Sequence, residues 1–541
     1  MKKNIVLIFC LSFLIQLSVY SQDATIPHLT KKGTTQELIV DGNPYLVLGG
    51  ELGNSTASSL DYIRPFWAKF KAMNLNTILV PAYWDLIEPE EGKFDFTLID
   101  SIIYTSRKNN LRVILLWFGS WKNSMSCYAP AWIKTNQKRF PRAQNSAGKG
   151  LEIVSAFSKN NLDADKKAFT ELMKHLKETD TSHTVIMMQV ENEIGMLTEA
   201  REHTAEADKA FNNEVPKELM DYLIANKDSL VPELRAHWSK TNFATTGNWE
   251  TVFGKSMATD ELFQAWYYAK YTNAVAAAGK KIYPLPMYVN AALNYRNVLP
   301  GQYPSAGPLP HLMDIWQSGA PAIDILSPDF YNPYFKHYCD LYTRRNNPLF
   351  IPEIRFEPSD AAKVFYAIGH YQAIGFSPFS IESTAQPEAE PIGHAYSILS
   401  QLSLEILKYS GTGKMDGVLL DTATKTQEII LGNYKLKVSH DYTLGWSPEA
   451  KNPDWLMTGG IIIQTGENDF IIAGTGVVVT FTVNNSTNKS AGILQADEGI
   501  YKDGNWIPGR RMNGDQDHQG RHIRIPVGEW GIQKVKLYQY E

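Results

Sequence analysis

Cysteine is nearly absent: Cys10, Cys127 and Cys339 are the whole supply of a 541-residue chain, which excludes a fold stapled by a disulfide framework. Cys10 lies in the apolar N-terminal run after Phe9, a poor context for lipid modification, so a soluble mature protein is expected. That leaves one conceivable bridge, Cys127 to Cys339, against two unpaired thiols. A basic excess is also missing, with 52 Lys and Arg against 57 Asp and Glu and a formal net charge of -5, so no face for nucleic acid is expected. Past the N-terminal run no stretch reaches the roughly 18 apolar residues that span a bilayer. The 12 histidines show no His-Glu-x-x-His spacing, and no metal or other cofactor is expected. Gly49-Gly50-Glu51-Leu52-Gly53 lacks the dinucleotide fingerprint and reads as a tight turn.

What is present begins with Met1-Lys2-Lys3, an apolar run from Ile5 to Val19 and then Tyr20-Ser21, the three regions of a secretory signal. Export to the periplasm or outside the cell is expected, with residues 1–21 removed and no membrane attachment afterwards. The remaining length suits a large catalytic unit, 22–410, followed by a smaller one, 411–541.

Between Leu38 and Lys408 short apolar runs alternate with amphipathic stretches. Eight strands are predicted at Tyr45–Gly50, Thr77–Tyr83, Arg112–Phe118, Thr184–Val190, Tyr283–Asn290, Ile323–Ser327, Leu349–Glu353 and Gly375–Ile381. Helices are predicted at Leu60–Met73, Phe96–Lys108, Ala164–Glu178, Glu261–Ala278 and Ala361–Ile374. This is the pattern of an α/β fold, a closed (β/α)8 TIM barrel. A long insertion after the fourth strand, from Gly195 to about Lys280, and a turn-rich loop, Leu299 to Pro308, are expected to shape the barrel mouth. Beyond Gly411 the runs Gly417–Leu420, Gln427–Leu431, Gly460–Gln464, Phe470–Ala473, Val477–Val483 and Ile523–Val527 predict an antiparallel β-sandwich-like domain. Its Trp446, Trp455, Trp506 and Trp530 mark either a carbohydrate face or packing.

Two apolar runs end abruptly on acids. Thr184-Val185-Ile186-Met187-Met188 leads into Gln189-Val190-Glu191-Asn192-Glu193, and Leu349-Phe350-Ile351-Pro352 leads into Glu353. Barrel enzymes carry their chemistry at the C-terminal ends of the strands, and glycosidic bonds are usually cleaved by a pair of carboxyl groups. Glu193 and Glu353 are therefore the candidate pair.

The segment Gln189-Val190-Glu191-Asn192-Glu193-Ile194-Gly195 resembles the acid/base segment of glycoside hydrolase family 35, the β-galactosidases of a retaining barrel clan. Ile351-Pro352-Glu353-Ile354-Arg355 is similar to that family's nucleophile strand, and the segment from Val80 to Phe96 looks like the clan's stretch after the second strand. The resemblance implies Glu193 as acid/base, Glu353 as nucleophile and Asn192 as the ligand of the sugar 2-hydroxyl. It further implies an exo-acting β-galactosidase, with some members of the bacterial branch acting on plant polysaccharides such as xyloglucan. The chain departs from the family where Ile194 follows the Asn-Glu pair and where Trp117-Phe118-Gly119-Ser120-Trp121-Lys122-Asn123 follows the third strand. Sugar selection is the property those departures touch. A related exo-glycosidase of another specificity and a carbohydrate-binding barrel without turnover are the competing readings, and no oligomeric state is implied.

Further substrate ligands are expected near strand ends. Glu51 and Glu382 bind sugar hydroxyls or make structural hydrogen bonds, and Tyr331 contacts the nucleophile or simply packs. Trp84, Trp121 and Trp316 stack on a pyranose or fill the core. Tyr83, Lys122, Asn123 and Asn290 are polar candidates as a group, while Glu191 is expected to orient its neighbours.

Overall fold

Every residue of Thr77–Tyr83 is buried in the computed structural model, as expected for a parallel strand with a packed barrel interior on one face and helices on the other. The structure describes residues 25–294, 297–486 and 488–541. The expected leader, 1–21, and Cys10 lie outside the described residues. Eight parallel strands close a barrel in chain order: Val47–Glu51, Thr77–Tyr83, Arg112–Lys122, Val185–Asn192, Met287–Ala292, Ile325–Phe330, Phe350–Ile354 and Gly375–Pro378. The last strand pairs with the first through Gly375 with Val47 and Phe376 with Leu48.

Each predicted barrel strand is present, with ends shifted by a few residues. The third runs on to Lys122, and the eighth stops at Pro378. The predicted helix over 60–73 is broken into Leu60–Ile63, a 3₁₀ turn Arg64–Phe66 and Trp67–Ala72, where Pro65 supplies no amide proton to continue the ladder. Ahead of the barrel lies a three-stranded antiparallel sheet, His28–Lys32, Thr35–Val40 and Asn43–Tyr45, that was not foreseen. The insertion after the fourth strand folds into helices Ala205–Asn212, Lys217–Ala225, Pro232–Ser239, Trp249–Phe253 and Met257–Ile282. Its aromatics join the barrel's hydrophobic core, with Trp249 edge-on to Phe263 at 5.4 Å.

The C-terminal region forms two antiparallel sheets. One orders Met415–Leu420, Thr458–Gln464, Asp469–Thr475, Gly531–Tyr540, Ser490–Lys502 and Asn505–Arg511; the other orders Thr426–Leu431, Tyr434–His440, Val477–Val483 and Ile523–Ile525. Leu420, Ile429, Leu436, Val438, Ile462, Ile472, Val479 and Val535 share a core of their own. The larger sheet lies against helix Asp360–Gly369 so closely that a Cβ on Gly459 would meet the Ala362 carbonyl oxygen at 2.6 Å. Trp530 fills this seam between Phe365 and His394, Trp506 packs on Tyr501, and Trp455 packs on His440. Trp446 stays half-exposed.

Cys127 and Cys339 are both free thiols, so the conceivable bridge is not formed. No helix among the described residues is long and apolar enough to cross a membrane.

Candidate active site

The fourth strand, Val185–Asn192, delivers its last residues to the barrel mouth, where Glu191 and Glu193 hold φ of 60° and 44°. Positive φ is uncommon for residues with a Cβ and needs surrounding structure to hold it. The loop 299–308 provides that support: Met196 and Ser305 exchange backbone hydrogen bonds of 2.8 and 3.1 Å. A Cβ on Gly307 would meet the Ile194 carbonyl oxygen at 2.6 Å. From the other side Ser124 N–H donates to the Glu193 carbonyl at 3.1 Å.

Glu353 comes from the seventh strand, Phe350–Ile354, in register with Asp329 of the sixth. One carboxylate oxygen each of Glu193, Asp329 and Glu353 lies within 4.8 Å of the others, and all three residues are buried. Asn123 Nδ2 donates to Glu193 Oε2, and the Tyr331 hydroxyl donates to Glu353 Oε1. Lys122 Nζ donates to Asn192 Oδ1 at 2.9 Å. Asn290 spans the cluster, accepting from Glu193 N–H at 3.0 Å and donating to Asp329 Oδ2 at 2.7 Å. Glu353 Oε2, Asp329 Oδ1, Glu51 Oε1 and Asn192 Nδ2 are buried without a hydrogen-bond partner, which leaves both donor and acceptor capacity at one point.

Burial pushes the Glu353 carboxyl up to about 7, helped by the charge of Glu193 and opposed by Lys122 and the Tyr331 hydrogen bond. Glu51 and Asp329 are raised well above the ordinary carboxylate range, first by burial and then by the charge of Glu353; Lys122 opposes the rise at Glu51. Crowded buried carboxyls cannot all ionise, so the set retains protons at neutral pH. The three close carboxylates offer oxygen ligands alone. Lys122 already brings a positive charge, and no metal is assigned.

Of the remaining expected ligands, Glu51 faces Glu353 and Lys122. Glu382 points Oε1 at Gly53 N–H, 3.0 Å away, and at the Thr56 hydroxyl, leaving Oε2 unpartnered. Tyr83 packs edge-on to Phe118 at 6.0 Å. The three tryptophans, open between stacking on a sugar and filling the core, are found in the core. Trp84 donates to Glu88 at 2.9 Å and packs on Trp117, Trp121 lies edge-on to Tyr268 and Tyr271, and Trp316 donates to the Ala306 carbonyl at 3.1 Å. All three side chains are buried. Glu191 points away from the mouth, accepting from Trp121 N–H at 2.8 Å beside Asp165.

Asp329 was missed. Its signal was weaker, since only the short run Ile325-Leu326, followed by Ser327-Pro328, leads into this acid. Next to the cluster, a cavity of about 260 Å³ is lined by Leu293, Gln302, Tyr303, Asp329, Tyr331 and Asn332, among others. A larger cavity of about 500 Å³ shares Tyr303 as a wall but holds neither Glu193 nor Glu353.

Comparison with known proteins bears on this site. The glycoside hydrolase family 42 model, described as β-galactosidase, matches residues 62–271, which include Lys122, Asn192 and Glu193 but not Glu353. A domain of unknown function (DUF5597) matches residues 392–524. A β-galactosidase of Xanthomonas manihotis is 28% identical over 196 residues, covering 33% of this chain and 28% of its own length. Human β-galactosidase-1-like protein 3 is 25% identical over 178 residues, 32% of this chain and 25% of its own length. The matches thus span about a quarter of those curated relatives. Among solved structures, the β-galactosidase of Rahnella sp. R3 has a TM-score of 0.46 at 16% identity, covering 68% of this chain and 57% of that one. A catalytic mutant of Gan42B, a family 42 β-galactosidase of G. stearothermophilus, has a TM-score of 0.47 at 15% identity, covering 67% and 57%. Neither adds to what the strand order already shows. The matched model is that of family 42, a different family from the family 35 that the motifs resemble, and the family 35 expectation is not confirmed. β-Galactosidase is the description the two have in common.

Proposed function

We propose that this chain is a β-galactosidase-like glycoside hydrolase that releases terminal β-galactose by double displacement, after export directed by residues 1–21. The observation that carries the reading is the approach of Glu193 and Glu353 to within 4.8 Å, oxygen to oxygen, at the barrel mouth. Retaining enzymes hold their carboxyl groups about 5–5.5 Å apart, whereas inverting enzymes need about 6.5–9.5 Å to admit a water. In the first step Glu353, ionised, attacks the anomeric carbon while Glu193 protonates the leaving oxygen. In the second, Glu193 takes a proton from water, which attacks the same carbon and frees Glu353. Asn192 carries an unpartnered Nδ2 for a sugar hydroxyl and is oriented by Lys122. Galactose is supported by the description of the matched family model and of the curated relatives. Plant cell-wall side chains such as those of xyloglucan are the natural substrate class we favour, on the motif resemblance.

A panel of aryl β- and α-glycosides tests the reading. Release confined to the β-galactoside is expected, and Glu353→Gln is expected to lower kcat/KM by more than about 10³-fold, roughly 4 kcal/mol of barrier. Cleavage confined to another sugar would overturn the substrate, and a fully active Glu353→Gln would overturn the nucleophile.

A further inference from the structure

The two-carboxylate mechanism leaves two buried acids of the mouth, Glu51 and Asp329, without a task. Asp329 ends the sixth strand, in register with Glu353, with Oδ2 accepting from Asn290 Nδ2 at 2.7 Å and Oδ1 buried without a hydrogen-bond donor. Asn290 also accepts from the Glu193 backbone N–H at 3.0 Å. One amide therefore ties the Asp329 carboxyl to the backbone that carries Glu193. With oxygens of Glu193 and Asp329 inside the same 4.8 Å cluster, two ionised groups would face each other between buried residues. A proton between them relieves that repulsion.

We propose that Asp329 is a positioning residue for the acid step, holding one proton in common with Glu193 so that Glu193 is protonated when the leaving oxygen needs it. This rests on the glycosidase reading for its consequence but not for its existence. The groups facing Asp329 come from every side of the mouth. Glu51, Glu193 and Glu353 act on it with like charge, Tyr288 of the fifth strand and Tyr342 of the following helix lie within its field, and Lys122 brings positive charge to the neighbouring Glu51 and Glu353. Burial, then the charges of Glu353, Glu193 and Glu51, raise Asp329 well above an ordinary aspartate, in keeping with a group that retains its proton.

Asp329→Asn is the test, because an asparagine can still accept from Asn290 while carrying no titratable proton. The basic limb of the kcat/KM profile on an aryl β-galactoside is expected to move down by about one pH unit, since the cluster then holds one carboxyl fewer and its remaining proton is lost against less like charge. A limb that stays in place overturns the proposal, because a purely structural aspartate would leave it there. The thermal midpoint against pH gives a readout independent of turnover. Wild type is expected to lose stability with rising pH more steeply than Asp329→Asn, and equal slopes overturn the proposal. Should the glycosidase reading fail on every substrate, this second arm still decides the shared proton. Should Asp329→Asn not fold, Glu193→Gln is expected to flatten the same slope from the other side of the pair, and an unchanged slope overturns it.

Discussion

Lys122 and Trp121 are chain neighbours on one strand and so point to opposite sides of the sheet. The structure obeys this: Trp121 goes out to Tyr268 and Tyr271 of a covering helix, and Lys122 goes in to Asn192. Both were candidate ligands in the sequence, and the alternation alone would have separated them had the strand been carried past Phe118. Glu193 and Glu353 were legible because each ends an apolar run, whereas Trp84 and Trp316 were ambiguous because an indole serves packing and stacking equally well. Lys122 favours the charged form of Glu353, so Lys122→Met is expected to raise the Glu353 carboxyl further and move the acidic limb of kcat/KM to higher pH. A pH–rate profile with an unmoved acidic limb would count against that placement. Glu353 also links pH to stability. Its folded value, about 7, exceeds the roughly 4.3 of a free glutamate, so its contribution is fully present below about pH 4 and lost as pH rises through 7. Glu353→Gln is therefore expected to melt higher than wild type at pH 8 and to lose that advantage at pH 4.

At the scale of elements, the loop 299–308 was readable as ordered from its glycines and prolines, but its partner was not, because sequence does not show that Ser305 pairs with Met196. Gly307→Ala brings a Cβ onto the Ile194 carbonyl, so either the loop or the Glu193 segment must shift. A fall in kcat/KM of about tenfold or more is expected, since small misplacements of a reacting group are costly, with the thermal midpoint changed far less. Equal activity would mean the loop does not hold Glu193. The barrel strands were legible because both faces are buried and each reads as an apolar run. Tyr434–His440, with its alternating burial, was not, since Lys435, Lys437 and Ser439 interrupt any such run. Ser490–Lys502 and Gly531–Tyr540 are likewise strands of mixed composition.

For the molecule as a whole, every residue of helix Asp360–Gly369 is buried, which a barrel helix with a solvent face would not show. The larger C-terminal sheet covers its outer side. Truncation after residue 410 would bare the helix's outer face, and the shortened chain is expected to aggregate or melt well below the full-length protein in a thermal scan; an equally stable barrel would show that the seam contributes little. The barrel and the β-rich region were each visible in the sequence, but this dependence was not, because Gly459 and Gly417 look like ordinary strand glycines until a helix is found against them. The reaction itself is decided by following an aryl β-galactoside by proton NMR and identifying the anomer that appears first. β-Galactose appearing first, before mutarotation, is the result the Glu193 and Glu353 spacing predicts; α-galactose appearing first would contradict it.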